Sequence, residues 1–143
     1  MATYYINEAS FQLPEAEFID KTVNVLETKT ASGGELGIVM SRTRMPRDKT
    51  LRQMVDEHIA EEKRALRAYS VLFEREIQIA NVPAIEVGVR WRIDSGMVYH
   101  RHAHVAIWQT YLLVSTNSSL QEQPICDMVM DQVLGSFRFI EAT

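Results

Sequence analysis

The segment from residue 70 to 115 constrains the fold most, because it contains four stretches rich in β-branched and aromatic residues that are separated by turn residues. Two of the breaks are Asn81-Val82-Pro83 and Asp94-Ser95-Gly96, whose residue types favour turns. Strands that are joined by such short connections usually pair antiparallel. We therefore expect this half of the chain to form an antiparallel meander of four strands.

A further pair of strands is predicted before the meander. Residues 21–28 and 36–43 have extended patterns, and Ser32-Gly33-Gly34 between them supplies the positive-φ positions that a hairpin turn requires. The sequence therefore predicts a β-hairpin here.

A first helix is predicted over residues 51–68. Thr50 and Gln53 have the spacing of a capping box, in which two side chains satisfy free amides at the helix start. The apolar residues that recur at helical spacing are Leu51, Met54, Val55, Ile59 and Leu66. One face of this helix should lie on the core.

A second helix is predicted after the meander. Ser119 and Glu122 form another potential capping box, Pro124 suits a first helical turn, and Gly135 is typical of a helix end. The tail 136–140 alternates again and should pack extended on the core. The expected fold is α+β, a single domain over residues 1–143 with an antiparallel sheet of about six strands and two main helices.

Composition and charge exclude several classes of function. The net charge of −4 argues against nucleic-acid binding, which needs clustered cations. We find no apolar run of the roughly 18 residues that a transmembrane helix needs, and residues 1–8 resemble neither a secretory leader nor a lipidation signal. One cysteine, Cys126, cannot form an intrachain disulfide. We expect a cytoplasmic protein that does not insert into the bilayer.

Three histidines form the sharpest local motif. His100, His102 and His104 alternate within a predicted strand, so their imidazoles should share one face of the sheet. A metal-dependent hydrolase that uses His100 and His102, with His58 and Glu62 one helical turn apart as further ligands, is the alternative function. Nothing in the sequence places His58 near the strand. We expect a polar strand face whose imidazoles form hydrogen bonds, with no metal site.

Cys126 lies near a predicted helix start, where the helix dipole favours a thiolate, but its apolar neighbours indicate a core position. The chain has no phosphate-binding glycine loop, nucleophile elbow or CxxC motif. We therefore expect no catalytic residues, no cofactor and no enzymatic activity.

The predicted hairpin is apolar on both faces. Val23, Val25, Val39 and Ser41 share its odd face, and Leu26, Leu36, Ile38 and Met40 share its even face. A hairpin with one face in water normally alternates apolar and polar residues. Either a helix of the same chain covers the second face, or an apolar surface remains exposed for a partner or a membrane segment.

At the level of motifs, the chain resembles the DcrB-like family of the PsbP/Mog-like fold. The segments that carry the resemblance are Phe18 to Leu26, Leu36 to Arg42, Val82-Pro83-Ala84 with Trp91, and Leu134 to Phe137. Within that family, the chain is most similar to the Eag-type chaperones of type VI secretion systems. The fold that the resemblance implies is an αβα sandwich.

The resemblance also implies a function. A homodimer would hold the N-terminal transmembrane helices of a PAAR-containing toxin effector until the toxin is loaded onto the VgrG spike. The family's effector-binding groove maps here onto Val23, Val25, Val39 and Ser41, together with His102. On the middle strand this chain departs from the family, whose members often have Gln where it has His100 and His102. A Mog-like regulatory scaffold that binds a folded partner is another alternative.

Overall fold

A computed structural model describes residues 2–140, so Met1 and residues 141–143 of the predicted domain lie outside the described part. The strands are β1 (Ala2–Tyr5), β2 (Ser10–Leu13), β3 (Val23–Lys29), β4 (Glu35–Arg44), β5 (Arg67–Ile79), β6 (Val82–Ile93), β7 (Gly96–Ile107) and β8 (Thr110–Ser119). The helices are α1 (Leu51–Ala65) and α2 (Gln123–Ser136). The α+β prediction is confirmed.

Six strands form one antiparallel sheet in the order β3-β4-β8-β7-β6-β5. The four-strand meander is confirmed, and its last strand, β8, pairs with β4 of the predicted hairpin. This pairing places β3 at one edge of the sheet. β1 and β2 form a separate two-stranded sheet that the sequence analysis missed.

The two helices lie on opposite faces of the six-stranded sheet, which gives the expected αβα arrangement. Val55 of α1 packs on Ile85, Val87 and Val89 of β6. Met130 of α2 packs in a cluster on the other face, whose buried members are Ile79, Ala84, Ala103, Val105, Leu112 and Val114. Since side chains alternate along a strand, β6 and β7 each contribute to both cores.

The start of α1 is as predicted. The Thr50 hydroxyl accepts a hydrogen bond from the Gln53 amide at 3.1 Å, and the Gln53 side chain accepts one from the Thr50 amide at 2.9 Å. The hairpin turn is also as predicted, with Gly33 at φ +86°. The helix ends at Ala65 rather than near residue 68 because β5 begins at Arg67.

The predicted ends of α2 are wrong in detail. Ser119 precedes a short 3₁₀ helix, Leu120–Glu122, and its side chain makes no capping hydrogen bond. The carboxylate of Glu122 instead accepts hydrogen bonds from the hydroxyls of Thr30 and Ser32 in the β3–β4 turn. Gly135 lies inside the last turn of α2, so it does not end the helix. The tail after α2 packs Phe137 and Phe139 against the core, without forming a strand.

Candidate functional site

The strand register brings the predicted site residues into rows across one face of the sheet. Val25 of β3 pairs with Val39 of β4, and Val39 pairs with Ser115 of β8. Ser115 in turn pairs with His102 of β7, so these four residues form one row. Partners in register have side chains on the same face, and neighbouring strands are about 4.8 Å apart.

A second row runs beside the first. Val23 pairs with Ser41, Ser41 pairs with Leu113, and Leu113 pairs with His104. All five residues of the predicted groove therefore lie on the face of the sheet that carries α1. Period-two alternation along each strand was enough to predict this for residues within one strand.

Exposure changes along these rows. α1 packs on β5, β6 and β7, so His102 beneath it is only 6% exposed. Val23 and Val25 at the other end are 54% and 56% exposed, and Val39 and Ser41 are half-buried. We call the α1-side surface of β3, β4 and β8 the open face. It is formed by Val23, Val25, Val39, Ser41 and Leu113.

The open face has the dimensions of a helix. Three adjacent strands place β3 and β8 about 10 Å apart, which is close to the diameter of an α-helix with its side chains. β4 has 10 residues and is about 33 Å long, and β3 has 7 residues and is about 23 Å long, against about 30 Å for a helix of 20 residues. One apolar helix could lie along the strands.

The opposite face of the hairpin is mostly covered by the chain itself. Leu36 is buried at 2% exposure in a cluster with Cys126 of α2, and Ile38 packs against that cluster. Met40 packs against the larger α2-side core. Leu26 of the edge strand remains 57% exposed on this side. The chain's own helix therefore explains why the even face of β4 is apolar, but it does not explain the exposed valines of the odd face.

His102 belongs to a cluster of imidazoles beneath α1. The ring of His58, on α1, lies 5.1 Å from the rings of His102 and His104, measured between centroids. His100 and His102 have centroids 5.4 Å apart. The helix thus brings His58 to the histidine strand, a contact between distant segments that no local sequence pattern indicates.

Some imidazole nitrogens in this cluster form hydrogen bonds, as expected. His102 Nδ1 and the Ser115 hydroxyl share a hydrogen bond of 2.7 Å, and His104 Nδ1 shares one with the Tyr111 hydroxyl. Three other nitrogens are buried without a hydrogen-bond partner, namely His58 Nδ1, His102 Nε2 and His104 Nε2. Only some of the imidazole nitrogens in this cluster therefore have hydrogen-bond partners.

One carboxylate faces the cluster. Glu62 of α1 lies 3.4 Å from His102 Nε2 and 3.6 Å from His58 Nδ1, and it accepts a hydrogen bond from the Tyr69 hydroxyl. Burial alone would raise the pKa of Glu62, but these neighbours lower it below its usual value. Among residues 2–140, no group of three or more His, Cys, Asp or Glu side chains is arranged to hold a metal ion.

Burial also lowers the pKa of three imidazoles, because desolvation disfavours the charged ring. The pKa of His58 is lowered, first by desolvation and then by the neighbouring His102. The same causes lower the pKa of His100 to about 3. Desolvation, followed by the nearby His58 and His102, lowers the pKa of His104 to about 2. These rings are neutral at neutral pH.

The α2 side contains a charged network that the sequence analysis did not identify. Arg101 is 2% exposed and donates from Nε to Glu86 Oε2 at 2.8 Å, and Glu86 is 1% exposed. Asp127 and Asp131 of α2 lie 3.3 and 2.9 Å from the same guanidinium. Alternation places Glu86 and Arg101 at core-facing positions, and this was the signal that could have revealed the network.

Cys126 lies in the core, as predicted. It is 0% exposed, and its thiol donates to the Thr116 hydroxyl at 3.3 Å. Burial raises the pKa of this thiol, so the thiolate needed for nucleophilic chemistry is disfavoured.

No helix among residues 2–140 has the length and apolarity needed to span a bilayer.

Most of the chain matches the model of one protein family. The DcrB family model matches residues 8–135, which is most of the sequence. The chain belongs to the DcrB family. This match includes the whole six-stranded sheet and nearly all of α2. No protein with a curated description matches the sequence.

Solved structures share the fold. PA94 of Pseudomonas aeruginosa, a protein of unknown function, superimposes with a TM-score of 0.84 at 16% identity, over 99% of both chains. CyanoP, the cyanobacterial PsbP of Synechocystis, superimposes with a TM-score of 0.59 at 11% identity, over 97% of this chain and 92% of its own. At these identities the similarity shows the fold alone, and it confirms the PsbP-like architecture.

Proposed function

We propose that this DcrB-family protein binds an apolar helix of another protein on its open face and keeps that helix in solution. The observation that carries the proposal is the exposure of Val23 and Val25, at 54% and 56%, on a sheet face that α1 leaves uncovered. Contiguous exposed apolar surface marks binding sites for proteins or membrane segments. The protein would be a binding protein rather than an enzyme.

Several features of the open face suit a transmembrane helix as the occupant. Its width matches one helix, and β4 is as long as the roughly 20-residue helix that spans a bilayer, while the edge strand β3 runs along about three quarters of that length. Such a helix is insoluble in water, and burial of apolar area on a preformed surface contributes about 25 cal/mol per Å². Ser41 adds a hydroxyl among the valines, which can hydrogen-bond the small polar residues that are common in membrane helices.

The family resemblance supports a proposal for the partner. The proposed cargo is the N-terminal transmembrane region of a PAAR-containing toxin, held in the cytoplasm until the toxin is loaded onto the VgrG spike of a type VI secretion system. A homodimer would present two open faces. Two helices of one effector could then bind together, and the linkage would raise the effective concentration of the second helix.

Two variants of β3 test the face assignment. Val25 and Leu26 are adjacent and equally exposed, at 56% and 57%, but they lie on opposite faces of the sheet. Val25→Asp should abolish retention of the effector's N-terminal helices in the soluble fraction on coexpression, since a charge would sit in the apolar contact. Leu26→Asp is the matched control and should retain them.

Both variants should unfold at nearly the parental temperature, because exposed substitutions rarely change stability by more than about 0.5 kcal/mol. Equal retention by Val25→Asp and the parent would show that the open face does not bind the cargo. Loss of retention only in Leu26→Asp would place the cargo on the α2 side. Complexes only with proteins that lack an apolar helix would favour the regulatory-scaffold alternative.

A further inference from the structure

The imidazole cluster lies between α1 and the sheet, directly beside the open face. His102 and His104 occupy the same cross-strand rows as Val25 and Val23. His58 reaches them from α1, with its ring centroid 5.1 Å from each of their ring centroids. Any movement of α1 away from this cluster therefore changes the wall of the open face.

The charged and titratable groups around the cluster come from four elements. α1 contributes Glu61, Glu62 and the more distant Arg52, β7 contributes His100, His102 and His104, β8 contributes Tyr111, and β5 contributes Tyr69. Burial is the main cause that raises the pKa of both tyrosines, so they stay neutral in the acidic range. Glu62 is the carboxylate in contact with the rings, and it can balance one imidazolium at most.

We propose that this cluster is a pH-sensitive contact that holds α1 on the sheet while His58 and His104 are neutral and releases α1 when the solution becomes mildly acidic. Three observations support it: the close approach of the rings, the three buried nitrogens that make no hydrogen bond, and the presence of only one carboxylate, Glu62, in contact with the rings of the described residues. Glu62 can balance the charge of one protonated imidazole, so a second protonated imidazole in the closed cluster would be a buried cation close to another cation. The consequence for cargo rests on the proposed function, because loss of the α1 wall should weaken helix binding on the open face.

Proton binding by the histidines determines how strongly pH shifts the opening equilibrium of α1. An imidazole in the opened state titrates near its ordinary pKa of about 6.5, whereas the closed state resists protonation. Each such histidine shifts the opening equilibrium about fivefold between pH 6.5 and 5.5, and toward tenfold for each further pH unit. His58 and His104, which face each other across the contact, would together shift it about thirtyfold between pH 6.5 and 5.5.

Amide hydrogen exchange across this pH range tests the contact without any cargo. Protection factors, corrected for the pH dependence of intrinsic exchange, should fall about thirtyfold in α1 between pH 6.5 and 5.5. The amides of α2 provide the comparison for local opening, because none of the four histidines lies on the α2 side of the sheet, and α2 should stay more protected than α1 at every pH even if its own protection falls with global stability. Equal protection of α1 and α2 throughout, or no loss in α1, would overturn the proposal.

Histidine variants test whether these imidazoles, rather than acid in general, cause the loss of α1 protection at low pH. His58→Gln keeps a polar side chain but cannot titrate, so the fall in α1 protection should shrink to about fivefold. His58→Gln combined with His104→Gln should remove most of it. An unchanged pH profile in the folded single variant would overturn the role of His58, whatever the fate of the double variant.

The cargo arm uses a synthetic apolar helix of about 20 residues flanked by lysines. Binding at pH 7.5 that weakens at least tenfold at pH 5.5 in the parent, but not in His58→Gln, would support the regulatory link. Binding that is equal at both pH values while α1 loosens would overturn that link. Failure of the peptide to bind at any pH would contradict the proposed function, while the exchange result still decides whether the contact is pH-sensitive.

Discussion

Arg101 shows how one buried charge is tolerated in a core that is otherwise apolar. Its guanidinium is paired with Glu86, which is itself buried, and with two aspartates of α2. Arg75 shares Glu86 from the solvent side, where its side chain is 51% exposed. The two arginines therefore contact the same carboxylate from environments of different polarity.

We predict different costs for removing these two arginines. Arg101→Met should lower the free energy of unfolding by about 3 kcal/mol, since it leaves Glu86 buried with only the half-exposed Arg75 as partner. Arg75→Met is the matched control and should cost less than about 1 kcal/mol, because exposed ion pairs contribute little. Urea unfolding curves measure both values. Equal effects of the two variants would contradict this description of the network.

The pairing of β5 with β6 depends on one glycine. Gly88 lies opposite Phe73 in the register, and a Cβ at position 88 would overlap the Phe73 ring. That ring also lies 4.6 Å from the Arg75 guanidinium carbon, so it packs over the outer part of the charged network. Gly88 is needed here for close packing, since the residues at both positions face the α2 side of the sheet.

Substitution at this contact gives a prediction at the level of the strand pair. Gly88→Ala should destabilise the protein by about 1–3 kcal/mol, because the ring of Phe73 must leave its position. In a Phe73→Leu background the same substitution should cost much less, since the overlapping ring is absent. A double-mutant cycle by urea unfolding measures the coupling. Additive effects of the two substitutions would contradict the proposed overlap.

At the scale of the whole molecule, the two faces of the sheet differ in chemistry. The α2 side holds the charged network and the larger apolar core, and all four histidines lie on the α1 side. α1 covers only half of its side, and the edge strand β3 is exposed along its whole length. This asymmetry puts the open face and the titratable groups on the same side of the protein.

The free energy of unfolding should therefore depend on pH between about 6.5 and 5.5, which is above the pH at which most carboxylates titrate. Folding lowers the pKa values of His58, His100 and His104 below 6.5, so the unfolded chain binds more protons once the pH falls below 6.5. Stability from the neutral rings is fully present above that pH and is lost as the pH falls toward the folded-state values, by up to roughly 1.4 kcal/mol per pH unit for each histidine.

Urea midpoints between pH 8 and 5 measure this loss. We expect a nearly constant midpoint above pH 7 and a fall in the free energy of unfolding on the order of 2–4 kcal/mol from pH 6.5 to 5.5. The double variant His58→Gln with His104→Gln should show a shallower fall. A midpoint that stays constant down to pH 5 would mean that the buried rings do not resist protonation.

Local rules in the sequence determined much of this protein. Alternation along β7 placed His100, His102 and His104 on one face because side-chain direction in a strand depends only on position. The capping box at Thr50 formed as predicted because its partners lie three residues apart. The α+β class, the meander and both helices followed from such short-range patterns.

Only the tertiary structure decided the rest, because those features depend on contacts between distant segments. Ser119 does not form the predicted capping box, because the Glu122 carboxylate accepts hydrogen bonds from Thr30 and Ser32, about 90 residues away in sequence. His58 reached the histidine strand because α1 crosses that part of the sheet. The exposure of Val23 and Val25 followed from the strand order, since pairing of β4 with β8 left β3 at the edge beyond the reach of α1. Alternation specifies which face a residue occupies, but only the packing of helices on the sheet determines whether that face is covered.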